Sequence, residues 1–177
     1  MRKWFILVFI VNILLIAASY FFLPEQVATH FTLGGNPDSW GSKGSYILIW
    51  PALEIPLFFI LFYIPRTILK FPERMINLPH KEYWLKEENK PRVLALFTER
   101  MSGMGTFFFA FLAAVQLLVI DANLSDPVQL KESLFLPVLI AFMLYMLYWT
   151  ITFIRAFRVP DRISNSTQET EKIFKRN

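Results

Sequence analysis

Four stretches of this chain are almost wholly apolar: Trp4 to Phe22, Ser45 to Ile64, Gly103 to Ile120 and Leu134 to Ile154. Each is close to the ~20 residues that a helix rising ~1.5 Å per residue needs to cross ~30 Å of hydrocarbon. The pattern predicts an all-α, polytopic membrane protein with four transmembrane helices. The first block has a basic start at Arg2 and Lys3 and small residues at Ala17, Ala18 and Ser19, as a secretory signal would. It runs on through Tyr20, Phe21 and Phe22, and three more blocks follow, so it is read as a retained helix.

Charge placement sets the expected orientation. Sixteen of the 18 Lys and Arg fall at Arg2 and Lys3, between Arg66 and Arg100, or between Arg155 and Arg176. Only Lys43 and Lys131 lie on the other side of the spans. This positive-inside bias predicts both termini in the cytoplasm of a multi-pass protein of the cell (inner) membrane. The net charge of +4 then reports orientation and contact with the lipid bilayer, and no nucleic-acid partner is expected. The chain has no cysteine, which excludes disulfides, thiolate metal sites and cysteine nucleophiles.

The blocks divide the chain into a two-helix module (1–64) with an outer loop at 23–44, a cytoplasmic linker with an amphipathic segment (65–102), a second transmembrane hairpin (103–154) and a flexible cytoplasmic tail (155–177). The outer loop is longer and more structured in composition than a bundle connector of roughly 2 to 8 residues. Pro24 to Phe31 is expected to form a short surface helix, with Pro24 in its first turn, Glu25 at the positive end of its dipole and Val27 and Phe31 spaced i, i+4. Gly34, Gly35, Asn36, Pro37 and Asp38 spell turns, and Trp40 is placed as an interfacial anchor before Lys43 and the second span.

Inside the spans, three polar side chains need partners: Asn12, Glu54 and Gln116. Glu54, between Pro51 and Pro56, is the sole acidic residue within the four blocks. An intramembrane carboxylate is expensive and is a functional candidate by default. The competing reading is a neutral Glu54 hydrogen-bonded to Asn12, Gln116 or a carbonyl freed by proline. Gly103, Gly105, Ala110, Ala113 and Ala114 allow close helix approach in the third span.

In the linker, Lys70 to Arg74 reads as a basic membrane-surface segment. Asn77, Pro79, His80, Lys81, Tyr83 and Trp84 lie in a stretch that combines a turn with aromatic anchors. From Glu87 onward, apolar residues at helical spacing predict a helix at the surface that continues into the third span.

Leu23-Pro24, His30-Phe31, Gly35-Asn36-Pro37-Asp38, Trp40-Gly41 and Lys43, set between two apolar spans, resemble a bacterial membrane family of unknown function. The same pattern opens the SdpI-type immunity proteins, which continue into further helices. The resemblance reaches to about Pro65, and Asn77 to Trp84 resembles a cytoplasmic motif of short members of the family. It implies an interaction motif of His30, Phe31, Gly35, Pro37, Asp38, Trp40 and Lys43, with a membrane-active peptide or another membrane protein as partner.

His30 and Asp38 are also metal-ligand types, although a full set would have to borrow Asp121, Asp126 or Glu132, and His80 lies across the membrane. The preferred reading is a structural loop in which Asp38 caps a turn and pairs with His30 or Lys43, with no cofactor. No GxSxG, SxxK, Walker A or Rossmann pattern occurs, so no enzyme is expected. Two functions are left: a non-catalytic binding protein working through the outer loop, or a small transporter or proton- or ligand-sensing bundle centred on Glu54. Oligomeric state is open.

Overall fold

The computed structural model describes residues 1–158, so the tail expected from Arg155 onward lies outside it beyond Arg158. The elements in order are α1 (Arg2–Ser19), β1 (Gln26–Phe31), β2 (Pro37–Ser42), α2 (Lys43–Thr67), two 3-10 turns (Ile68–Lys70 and Glu73–Met75), α3 (Lys81–Trp84), α4 (Lys90–Asn123) and α5 (Glu132–Ala156). Among the described residues, α1, α2, α4 and α5 are long and apolar enough to cross a membrane. The helix expected to run from the linker into the third span is continuous. α4 has 34 residues, about 50 Å at ~1.5 Å per residue, so it projects well beyond the ~30 Å of hydrocarbon.

Three helices make the core, with α4 packed against both of the others. α1 and α2 pack on α4 and on each other, whereas α5 packs on α4 and buries no residue fully. The four spans therefore do not share one interior. Phe5, Leu61 and Phe109, one from each core helix, are buried together. The Phe9 and Phe58 rings stack beside them with centroids 4.1 Å apart. Gly105 lets α1 approach, since a Cβ there would sit 2.5 Å from the Phe5 ring; Gly103 has open space instead. Ala110 and Ala114 line an apolar groove against α5 with Phe111 and Phe142.

The expected surface helix at Pro24 to Phe31 is corrected by the structure, which stays mostly helical around one two-stranded hairpin. Those residues supply β1, which pairs antiparallel with β2. Val27 and Phe31 suit helical spacing, but Val27, Thr29 and Phe31 also alternate along a strand. A helix of eight residues is marginal in water. The hairpin prevails because Gly34 and Gly35, at φ of 99° and 75°, turn the chain without steric cost. Thr32 N–H donates to the Asn36 carbonyl at 2.9 Å and closes the turn.

A second correction concerns the linker. Trp84 does not lie out as a membrane anchor; with Ile76, Leu78 and Leu85 it buries against Val93 of α4 and Phe157 at the end of α5. Trp84 is 1% exposed, and its indole Nε1 donates to the Phe157 carbonyl at 2.8 Å. This small core sits at the end of the helices opposite the hairpin. Arg2, Arg66 and Pro91 gather at that same end.

Candidate functional site

The hairpin is held on one side and open on the other. Ala28 faces Trp40 in the register, yet both of its backbone groups turn away from β2. Its N–H donates to Asn123 Oδ1 at 2.7 Å, and its carbonyl accepts from Asn123 Nδ2 at 3.1 Å. The pair is thus of the non-hydrogen-bonded type, which points the N–H and C=O of Trp40 outward along the far edge of β2. Asp38, Ser39 and Trp40 are all exposed there.

The tip is docked as well. The Gly35 carbonyl accepts from Leu130 N–H at 2.8 Å, the Gly34 carbonyl from Gln129 Nε2 at 3.1 Å, and Gly34 N–H donates to Glu132 Oε1. Gly35 is required twice over, by its positive φ and by the Leu130 carbonyl, which a Cβ would strike. Beneath the hairpin, Leu23, Val27, Tyr46 and Val119 are buried together, with Phe31 and Trp50 packed against them. Ser42 closes the unit by capping α2, its hydroxyl accepting from Ser45 N–H at 3.1 Å.

The residues of the interaction motif are distributed accordingly. His30 Nδ1 and Asp38 Oδ1 meet across the strands at 2.6 Å, both exposed. Lys43 pairs with Glu25 at 2.7 Å and lies over the Tyr20 ring, so it is not the partner of Asp38. Phe31 and Pro37 face each other at the closed end of the ladder, both half-buried. Leu33, at the tip, is 94% exposed. Of the residues considered for a metal set, Asp121 pairs with Lys131 at 2.8 Å and Glu132 holds Gly34. Among the described residues no group of three or more His, Cys, Asp or Glu gathers around a common point.

Below the hairpin, the three intramembrane polar residues come together, one from each core helix, and all are 0% exposed. Asn12 Nδ2 donates to the Phe109 carbonyl at 2.7 Å. Gln116 Nε2 donates to Glu54 Oε1 at 2.6 Å and more weakly to Asn12 Oδ1 at 3.3 Å. Glu54 Oε2, Gln116 Oε1 and the Tyr46 hydroxyl have no partner among the described residues. Two orphaned acceptors on adjoining side chains make this a centre that would receive a proton or another hydrogen-bond donor.

In the motif at the opposite end, Trp84 is buried, Tyr83 and Pro79 are half-buried, and Asn77, His80 and Lys81 are exposed. His80 has a left-handed backbone at φ 54°, and its carbonyl accepts from the N–H groups of Tyr83 and Trp84 to start α3. The helix it starts carries Trp84 into the small core. Asn123, Gln129 and Leu130 were missed by sequence reasoning. A polar residue at the end of an apolar run reads as a span boundary, and nothing local links Asn123 to Ala28.

The fold and these sites define a multi-pass membrane protein whose first two spans are joined by a docked β-hairpin above a buried polar centre. Residues 7–55 match the family model described as a domain of unknown function, DUF1648. The match takes in Asn12, the whole hairpin and Glu54, and leaves out Gln116 and Asn123, which complete both sites from α4. No curated protein and no solved structure matches the chain.

Proposed function

We propose that this is a non-catalytic, multi-pass protein of the cell membrane that binds a membrane-active peptide or another membrane protein through the open side of its hairpin. The observation that carries the reading is the asymmetry of the hairpin. Asn123 and the α4–α5 connection close one edge, while the outward N–H and C=O of Trp40 on the other have no partner among the described residues. An extended segment adds to such an edge through backbone hydrogen bonds, with side chains supplying specificity. The exposed His30–Asp38 pair, Trp40 and Leu33 are the side chains beside it. The positive-inside distribution supports both termini in the cytoplasm and the hairpin outside. The resemblance of the motif to the start of the SdpI-type immunity proteins supports a peptide partner.

The test is crosslinking in the native membrane followed by purification, with wild type and a variant carrying His30→Ala, Asp38→Ala and Trp40→Ala. All three side chains are exposed, so the fold should persist. A partner recovered with wild type is expected to fall at least about tenfold with the variant, given that interface anchors typically cost 1 kcal/mol or more each. Undiminished recovery would end this reading.

A second reading, a small transporter or a proton- or ligand-sensing bundle, is favoured by the orphaned Glu54 Oε2 and Gln116 Oε1. Glu54→Gln keeps the shape and removes titration. In reconstituted vesicles the variant is expected to lose any proton- or ligand-dependent response; an unchanged response excludes proton coupling at Glu54.

A further inference from the structure

At the end of the helices opposite the hairpin, Arg2 of α1 and Arg66 of α2 converge on one aromatic ring. Their guanidinium carbons lie 5.8 and 3.8 Å from the Phe62 centroid. Arg66 Nη1 donates to the Phe62 carbonyl, whereas its Nη2 is buried and unpaired. Neither arginine has a carboxylate partner among the described residues. Two like charges brought together without a bonded counter-ion repel, and an anion placed between them would relieve that repulsion.

Both arginines line a cavity of ≈ 470 Å³ whose other walls include Leu94, Ala95, Thr98 and Ser102 of α4. Ser102 is 2% exposed, and its hydroxyl has no partner. Ser102 and Arg66, each with a buried polar atom lacking a partner among the described residues, thus both line this cavity. Glu99 stands at the rim, exposed. Guanidinium forks match phosphate oxygens in geometry as well as charge. The cavity lies where two apolar spans reach their ends, and Leu94 and Ala95 give it an apolar wall. A ligand suited to it has an anionic head and an apolar body.

We propose that this cavity binds the headgroup phosphate of an anionic phospholipid, held by Arg2 and Arg66 with the Ser102 hydroxyl donating to a phosphate oxygen. The site is independent of the hairpin and of Glu54, and basic pockets between spans are a known setting for such headgroups.

The test uses the full chain, delipidated in mild detergent and given phosphatidylglycerol or phosphatidylcholine with identical acyl chains, with retained lipid counted by native mass spectrometry. Wild type is expected to prefer phosphatidylglycerol by about tenfold or more, and Arg2→Gln with Arg66→Gln to abolish the preference. Arg92→Gln removes a charge that lies over the Trp84 ring, outside the cavity, and should leave the preference intact. Ser102→Ala should weaken retention about threefold with an unchanged melting temperature, which keeps the proposal testable if the arginine variant does not fold. Equal retention of the two lipids by wild type would overturn it, as would a preference that survives the double arginine change. Complete displacement of phosphatidylglycerol by inorganic phosphate would also overturn it, by assigning the site to the free ion.

Discussion

Trp84→Ala is expected to collapse the small core at the end of the helices opposite the hairpin. The indole is almost fully buried among Ile76, Leu78, Leu85, Val93 and Phe157. Its ring meets Phe157 edge-on at 5.7 Å. Truncating a buried Trp costs about 3–5 kcal/mol, and the Phe157 carbonyl loses its side-chain donor. Because this cluster ties the segment between α2 and α4 to the end of α5, the loss should release that whole segment. Limited proteolysis should then cut between Lys70 and Asn89 faster than in wild type, and the melting temperature should fall. Trp84→Phe retains most of the packing and loses only the hydrogen bond, so a cost of about 1–2 kcal/mol is expected. Wild-type protease resistance in Trp84→Ala would show that the segment is held by something other than this core. Partner recovery through the hairpin should be unaffected in either variant, since the hairpin is anchored at the other end of α4.

The second large effect is expected from Asn123→Ala. One side chain satisfies both the N–H and the C=O of Ala28, a residue with no exposed surface. Each buried backbone group left unpaired costs about 1–3 kcal/mol, so the hairpin should lose about 2–6 kcal/mol of its attachment. Asn123→Asp is expected to be no rescue: it keeps an acceptor for the N–H but sets a second acceptor against the Ala28 carbonyl. Amide hydrogen exchange is the direct measurement. Exchange should accelerate across Gln26 to Ser42 and stay slow in α1 and α4. An equal and global acceleration would mean that Asn123 supports the helices rather than the hairpin. Comparing this variant with the His30, Asp38 and Trp40 substitutions also separates loss of hairpin position from loss of hairpin chemistry.

The polar centre was legible before the structure because hydrocarbon leaves so few choices. Asn12, Glu54 and Gln116 sit in runs that offer no water, so each must find a partner, and together they are the main polar side chains available at that depth. The continuity of α4 was legible for a related reason. Pro91 falls in the first turn, where a helix tolerates it, nothing from Arg92 to Gly103 breaks the helix, and the apolar spacing carries straight through.

The hairpin was not legible in the same way. Val27 and Phe31 satisfy a helical and a strand period at once, and a lone two-stranded hairpin has little stability in water. What decides between them is a side chain 95 residues further on and the Leu130 N–H that docks the tip. Trp84 was misplaced for a similar reason. An aromatic beside a turn reads as an interfacial anchor unless it is known that Phe157 returns to cover it.

From the amino-acid sequence alone came the four spans, the three intramembrane polar residues that each need a partner and the turns from Gly34 to Asp38. Apolar length and unsatisfied backbone in hydrocarbon are local properties, so they can be read locally. The tertiary structure alone decided that α5 lies outside the three-helix core, that Asn123 closes one edge of the hairpin and that Arg2 and Arg66 share a cavity. Lipid is as apolar as leucine, so a lipid-facing helix and a core-facing helix have the same composition. Only packing tells them apart.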